Sequence, residues 1–341
     1  MKSLVLSVVG AICLTVSVQA QQEQINGGPV NVPTEGIIDG VFIQEHIPTK
    51  RMIPYEYVRE ADAVWSRRAW EYIDLREKIN LPMYYPEDEI TGDGRWIRNA
   101  NRWSLWTVIR QHVINGDLRV FSPYDPVTLG VGVWDGDQLK YPIDPESGLT
   151  YNTDPVFREA MLWYMGKLGA QSDIALVDEW GNDSIVELPD GTFEMVYPAP
   201  DTTWFNSTDI IQYRLKEDWF FDKERSVLDV RIIALAPVVY RTEIDAQGNE
   251  SINGTMELFW LYFPHCRFVF NNYFVYNDQN DAQWMSFDDL FWKRRFNSVI
   301  YKESNTYDRE IDSYRAGVDA LYESEQIKNE IRNIEHDVWS F

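Results

Sequence analysis

The sequence predicts an α+β fold with N-terminal helices, a central antiparallel sheet and C-terminal helices. Three observations support this class. Apolar residues recur every three or four positions over the first third of the chain, as they do on one face of a helix. From Asp173 the apolar period changes to two, which is typical of strands with one buried face. After Ser286 the helical period returns.

The N-terminal half is predicted to form three helices. The first spans Glu56–Asn80, where apolar residues line one face and Pro82 follows the end of the pattern. The second spans Arg95–Asn115, and Gly116 is the expected C-terminal cap. The third is short and covers Pro155–Leu168.

The central sheet is predicted from segments whose apolar residues alternate. "DIALVDEWG" and "FEMVYP" lie on either side of a turn at "LPDGT". "VLDVRIIALAPVVYRTEI" forms a long strand or a pair of strands, and "MELFWLYFP" returns after the turn "QGNESINGT". "CRFVFNNYFVY" is expected to add a further strand.

Two C-terminal helices are predicted, one in "SFDDLFWKRRFNSVI" and one over Asp308–Val338. The last helix begins with apolar residues in heptad spacing, but Glu325 and Lys328 interrupt this pattern, which resumes in another phase. The helix either packs on its own domain, which we favour, or pairs with a partner helix through a register shift. The residues of the first phase are Ile311, Tyr314, Val318 and Leu321.

The N-terminus predicts export from the cytoplasm. Lys2 precedes a short apolar run, and cleavage is expected between Ala20 and Gln21, as in a secretory signal. Cys266 is then the remaining thiol and is interpreted as a buried core residue. The expected organisation is a signal peptide at 1–20, a flexible leader at 21–38, an α+β core domain at 39–305 with two possible subdomains at 39–170 and 171–305, and a C-terminal helical extension at 306–341.

The charge of the chain bears on its partners. The formal net charge is −23 at pH 7. A chain this acidic repels phosphate backbones, so nucleic acid is not an expected partner. Beyond the signal, no apolar run reaches the length of a membrane span, so membrane insertion is not expected either.

The sequence lacks the motifs that catalysis or metal binding would require. Its histidines are far apart, and it contains no nucleophile elbow, no phosphate-binding glycine loop and no calcium loop. We therefore expect no enzymatic activity, no metal and no cofactor. One acidic segment, "KEDWFFDKER", places Glu217 and Asp218 beside Trp219, as a sugar-binding site would. We favour a solvated turn with salt bridges, and keep a periplasmic carbohydrate- or peptidoglycan-binding protein as the second function class.

Aromatic residues and arginines are unusually abundant together. Phe, Trp and Tyr make up 14% of the chain, and many stand next to arginine. Trp, Tyr and Arg are the residues enriched at the energetic centres of protein interfaces. This composition indicates a protein that binds other proteins.

Long blocks of the chain resemble the GldN/PorN family of the type IX secretion system and its gliding machinery. The blocks are "DGVFIQEHIPTKRMIPYEYVREADAVWSRRAWEYIDLREKINLPMYYP", "RLKEDWFFDKERSVLDVRIIALAPV", "LFWLYFPHCRFVFN" and "SFDDLFWKRRFNSVIYKESNTYDREID". The resemblance implies a non-enzymatic periplasmic component with a cleaved signal. It further implies that the protein forms a ring with an outer-membrane lipoprotein of GldK/PorK type and contacts the periplasmic region of a GldM/PorM-type motor subunit.

Six residues form the candidate interface: Arg67, Arg68, Trp70, Arg76, Arg294 and Arg295. In the predicted first helix, Trp65, Ala69, Tyr72 and Ile73 face the core of the protein. Arg67, Arg68, Trp70 and Arg76 then lie near the rim of that helix and meet a neighbouring subunit. A ring requires such head-to-tail contacts, for which aromatic anchors and arginine–carboxylate pairs are suited.

Overall fold

The fold is seen in a computed structural model, which describes residues 52–90, 96–97, 102–125, 135–144, 154–168, 176, 185–187, 193–195, 202–244, 250–280 and 285–339. The predicted signal peptide at 1–20 and the leader at 21–38 lie outside these residues, as does most of the strand predicted at "DIALVDEWG".

The described residues form short and long strands with helices between them. The strands are β1 (Ala63–Asp74), β2 (Glu89–Ile90), β3 (Trp96–Ile97), β4 (Val120–Phe121), β5 (Pro142–Ile143), β6 (Gly166–Leu168), β7 (Ile185–Glu187), β8 (Phe193–Met195), β9 (Thr202–Trp204), β10 (Ile210–Asp222), β11 (Val227–Ile244), β12 (Glu250–Glu257), β13 (Trp260–Tyr262), β14 (Phe274–Val275), β15 (Met285–Ser286) and β16 (Val299–Glu303). The α-helices are α1 (Leu81–Tyr84), α2 (Leu105–Asn115), α3 (Pro155–Met165), α4 (Phe263–Phe270), α5 (Phe287–Trp292) and α6 (Val318–Trp339).

An antiparallel sheet of eight strands organises the fold. Its order is β16-β1-β10-β11-β13-β4-β5, and β12 also pairs with β11. The long strand predicted from "VLDVRIIALAPVVYRTEI" is confirmed as β11, and β7 and β8 pair across the predicted "LPDGT" turn. With helices between and after the strands of the sheet, the predicted α+β class is confirmed.

The helix predicted over Glu56–Asn80 is wrong, because Ala63–Asp74 is the strand β1. β1 pairs with β10 along most of its length. Trp65, Ala69 and Ile73 are four residues apart, and this spacing keeps residues on one face of a helix and also on one face of a strand. The spacing therefore could not distinguish a helix from a strand. Pairing with β10 places this segment in the sheet.

Other predicted elements are also corrected by the structure: the helix predicted over Pro155–Leu168 ends at Met165, and the helix predicted over Asp308–Val338 starts at Val318. The second helix starts at Leu105, where the Ser104 hydroxyl accepts a 3.2 Å hydrogen bond from the Thr107 amide, and its predicted cap Gly116 is confirmed with φ 83°. In the segment "CRFVFNNYFVY", predicted as one strand, residues 266–270 belong to the helix α4, which has a proline in its first turn, and only Phe274–Val275 form a strand, β14. The helix predicted in "SFDDLFWKRRFNSVI" ends after Trp292 and is followed by β16.

The main core lies on one face of the sheet. There α2, α4 and α5 pack their apolar residues against β1, β10 and β11, and aromatic rings fill the space between them. Phe263, Phe270 and Phe291 contact one another with ring centroids 5.2–6.1 Å apart. Cys266 is buried in this core, as the sequence predicted. Burial raises the pKa of its thiol.

The last helix, α6, packs on the same sheet beside β16, as the favoured interpretation predicted. Ile327 and Ile331 are buried against Ala69 and Ile300. The described part of the chain contains no helix with the length and apolar character needed to cross a membrane.

Candidate protein interface

The strand geometry of β1 separates the predicted interface residues. Successive side chains of a strand point to opposite faces of the sheet, so Arg67 and Arg68 point away from each other. Arg67 contacts Glu303 at 3.2 Å and Glu330 of α6 at 3.4 Å. Arg68 forms two hydrogen bonds, of 2.6 and 2.7 Å, with Asp218 on β10. The six residues are therefore not brought together on one surface.

A helical arrangement predicts Trp70 at an exposed rim, but in the strand β1 this residue is nearly buried. Its side chain is 9% exposed, and its indole N–H donates a 2.9 Å hydrogen bond to Asp137. The Lys302 ammonium lies 4.9 Å from the centre of the ring. Lys216 donates to the Asp137 carbonyl at 2.7 Å, which holds the same loop over the sheet.

Gly136 allows this loop to approach the sheet. A Cβ at this position would lie 2.3 Å from Pro123 Cα and 2.6 Å from the Ser122 carbonyl oxygen. Gly136→Ala is therefore expected to move the loop away and to lower the free energy of unfolding by about 1–3 kcal/mol. Urea unfolding measures this, with Lys140→Ala in the same loop as an exposed control. Equal stability of Gly136→Ala and the wild type would contradict the account.

Arg294 and Arg295 also have partners within the chain. Arg295 donates to the Asn277 side chain at 3.0 Å. Arg294 is the centre of a buried charge cluster that we define as Glu71, Glu217, Arg294 and Ser298. Arg294 donates to both carboxylate oxygens of Glu217, at 2.8 and 2.9 Å, and to Glu71 at 3.3 Å.

The charge cluster contains two carboxylates for one guanidinium. Glu217 and Glu71 are 0% and 1% exposed, and the Ser298 hydroxyl donates to Glu71 at 2.6 Å. Burial, followed by repulsion from Glu71, raises the pKa of Glu217 to about 7, although Arg294 acts to lower it. Burial acts to lower the pKa of Arg294, but the two carboxylates raise it overall. The cluster joins β1, β10 and the segment before β16.

The acidic segment "KEDWFFDKER" is a strand and a turn, and its acids have structural partners. Glu217 binds Arg294, Asp218 binds Arg68, and Asp222 accepts a 2.7 Å hydrogen bond from Arg225. The solvated turn that the sequence favours begins only after Asp222, because Lys216 to Asp222 belong to β10, and Lys216 pairs with Asp137 outside this segment. The Trp219 ring, which a sugar platform would need to expose, is half-buried and lies 5.0 Å from the Arg294 guanidinium carbon.

A cavity of about 830 Å³ lies between α3 and the ends of β10, β11 and β12. Aromatic side chains, including Tyr124, Trp163 and Tyr164, form one wall. Among the described residues, two carboxylates, Asp209 and Glu257, line the cavity, and both have partners within the chain. Asp209 accepts from the Asn206 amide at 2.7 Å, and Glu257 accepts from the Trp260 indole at 2.6 Å and pairs with Arg214. Both carboxylates therefore have structural roles.

Large exposed apolar and aromatic side chains stand on the first turns of α6 and in the segment before it, and we call these residues the α6 patch. They are Tyr307, Val318, Leu321 and Tyr322, with exposures of 74%, 80%, 51% and 74%. The Arg309 guanidinium lies between the rings of Tyr307 and Tyr314, 4.7 and 4.3 Å from their centres. Val318 and Leu321 belong to the heptad pattern predicted from the sequence. The structure shows that both side chains are exposed and do not belong to the core.

Comparisons with known proteins identify the family. A family model described as "Gliding motility associated protein GldN" matches residues 58–340. Among curated proteins, the comparison found no match. The family match includes the sheet, the charge cluster and the α6 patch. The chain belongs to the GldN family of gliding motility associated proteins.

Proposed function

We propose that this protein is a non-enzymatic structural subunit of the type IX protein secretion and gliding motility complex. It is exported to the periplasm, loses its signal peptide near Ala20 and Gln21, and associates with the outer membrane through a lipoprotein of GldK/PorK type. With that lipoprotein it builds a ring, and it couples the ring to the periplasmic region of a GldM/PorM-type motor subunit. Family membership supports this proposal.

The observation that carries the proposal is the α6 patch. Exposed tyrosines with nearby arginines are typical of the energetic centres of protein interfaces, and the exposed Val318 and Leu321 add apolar surface beside them. Tyr322 and Leu321 project from a helix whose opposite face is already seated on the sheet. Such a helix offers a rigid surface to a second subunit.

Two of the residues proposed from the sequence, Arg68 and Arg76, remain available to a partner. Arg68 and Arg76 keep 43% and 67% of their side-chain surface exposed, and we include them in the proposed contacts. Each already binds a carboxylate of this chain, Asp218 and Asp74 respectively. A partner subunit would therefore contact ion pairs that already exist, at the edge of the interface. Single charges at an interface edge contribute little affinity.

The test replaces Leu321 and Tyr322 with glutamate and measures ring assembly with the co-expressed lipoprotein. We expect assembly to weaken by at least about 30-fold, because loss of one interface centre costs about 2 kcal/mol or more. Asn329→Glu with Asn333→Glu is the control, since both residues are exposed on the same helix and add equal charge. Unchanged assembly of the Leu321 and Tyr322 variant, with normal thermal stability, would remove the α6 patch from the interface.

A further inference from the structure

The α6 patch lies in an acidic part of the surface. Residues 307–326, which contain the patch, include six acidic residues and two arginines, so this stretch has a net charge of −4. Asp319 and Glu325 are exposed, and neither forms an ion pair within the described residues. The patch therefore suits a partner surface that is apolar at its centre and basic at its edge.

The cavity beside α3 is an apolar surface elsewhere on the same chain. Its wall of Tyr124, Trp163 and Tyr164 is well packed, because each ring contacts the other two with centroids 5.2–6.1 Å apart. Val239 and Met256 add aliphatic side chains to the lining. Trp163 is 57% exposed, so the cavity is open to solvent at this wall. Its volume of about 830 Å³ lies within the range of protein cavities that bind ligands, about 300–1,000 Å³.

Cationic side chains lie around the opening of this cavity. Lys167 and Arg241 belong to its lining, and Arg241 is exposed. Arg76, which the sequence proposed as an interface residue, donates a 3.4 Å hydrogen bond to the hydroxyl of Tyr240, another residue of the lining. The two carboxylates of the lining are held by a backbone amide and by Arg214. The cations therefore make the opening positive, opposite in sign to the surroundings of the α6 patch.

We propose that the α6 patch of one copy inserts Leu321 and Tyr322 into the cavity of the next copy, with its acidic residues against the cations of the opening. α6 packs beside β16, whereas the cavity lies at the ends of β10, β11 and β12. The two surfaces are therefore different, and the contact is head-to-tail, which can repeat around a ring. This inference rests on the proposed function and names the neighbour that the α6 patch contacts.

Local charge complementarity is needed because two copies repel each other as a whole. Each chain has a formal net charge of −23. At physiological ionic strength, exposed charges are screened beyond about 8 Å, so the charges at the contact count most. The opposite signs of the patch and the opening then favour this pairing of surfaces over a symmetric contact between two α6 patches, in which the acidic residues would face each other.

Cysteine cross-linking in assembled rings tests the pairing. In a chain with both Tyr322→Cys and Thr242→Cys, co-expressed with the lipoprotein, a short bis-maleimide reagent should link neighbouring copies. Thr242 is an exposed residue of the cavity lining, and Cys266 is buried and does not compete. The double variant should give a ladder of multimers, whereas a mixture of the two single variants should stop at the dimer, because the contact is head-to-tail.

The matched control replaces Tyr322→Cys with Asn333→Cys, which is also exposed but lies about 16 Å further along α6. This variant should give no ladder. Exchange of charges is the second measurement. Asp319→Lys with Glu325→Lys should lower the yield of linked multimers by about tenfold or more, because like charges across an interface are strongly unfavourable. Adding Lys167→Glu with Arg241→Glu to the same chain should restore the yield.

The outcomes separate this pairing from the proposed function. Rings that form normally but give no link between positions 322 and 242 would overturn the pairing and leave the proposed function standing, with the lipoprotein or the motor subunit as the occupant of the α6 patch. Linked dimers without higher multimers from the double variant would indicate a symmetric contact and would also overturn it. Absence of rings in the wild-type co-expression would overturn both.

Discussion

Replacing Arg294 with methionine is expected to lower the free energy of unfolding by about 3 kcal/mol, because buried Glu217 and Glu71 lose their shared cation. Removal of one partner of a buried ion pair costs about 3–5 kcal/mol. Arg294 keeps 27% of its side-chain surface exposed, so water can partly replace it and we expect the lower end. Urea unfolding at neutral pH measures the change.

The same variant gives a pH test with a defined sign. A carboxyl whose pKa is raised in the folded state stabilises the protein at low pH and loses that contribution as the pH rises through the raised value. Without Arg294 the pKa of Glu217 should rise above its value of about 7, so the deficit should shrink on acidification. Arg76→Met is the control, since an exposed pair contributes about 0–1 kcal/mol. A cost of Arg294→Met no greater than that of the control would show that the cluster is not stabilising.

Replacing Arg267 with methionine is expected to cost about 3–5 kcal/mol and to free the N-terminal segment of the described chain. Arg267 is 2% exposed and binds Asp288 at 2.7 and 3.1 Å. It also donates to the Ile53 carbonyl at 2.7 Å and lies 4.4 Å from the ring centre of Tyr55. The variant thus leaves Asp288 buried without its cation and removes two contacts to residues 53–55.

Chemical denaturation gives the stability of this variant, and hydrogen–deuterium exchange gives the local effect at residues 53–58. The double change Arg267→Met with Asp288→Asn should recover part of the loss, because the unpaired charge is removed. A variant that unfolds at the wild-type urea concentration, with unchanged exchange at residues 53–58, would contradict this role of Arg267.

The sequence predicted the elements whose patterns have one physical interpretation. β11 was recognised because an 18-residue run rich in β-branched residues suits a strand. Gly116 was recognised because the end of a helix requires a left-handed residue. β1 was missed because its apolar spacing fits both a helix and a strand, and α4 was missed although Pro264 marks the first turn of a helix.

The candidate site was less predictable because its residues meet through the sheet. Arg294 was chosen for its aromatic neighbours, but its carboxylate partner Glu217 lies on β10, far away in the sequence. In the structure Arg294 connects β1 and β10 through Glu71 and Glu217. The break in the heptad pattern separates Val318 and Leu321, which are exposed, from Ile327 and Ile331 of the second phase, which are buried. Tyr322 lies outside that pattern, so its exposure required the structure.

The most direct test of the central proposal, that this chain is a structural subunit of a ring, is electron cryo-microscopy of the protein co-expressed with the proposed lipoprotein partner. The account predicts closed rings in which the α6 patch is buried between subunits of the assembly. Dispersed single molecules, or rings in which Leu321 and Tyr322 remain exposed to solvent, would contradict it.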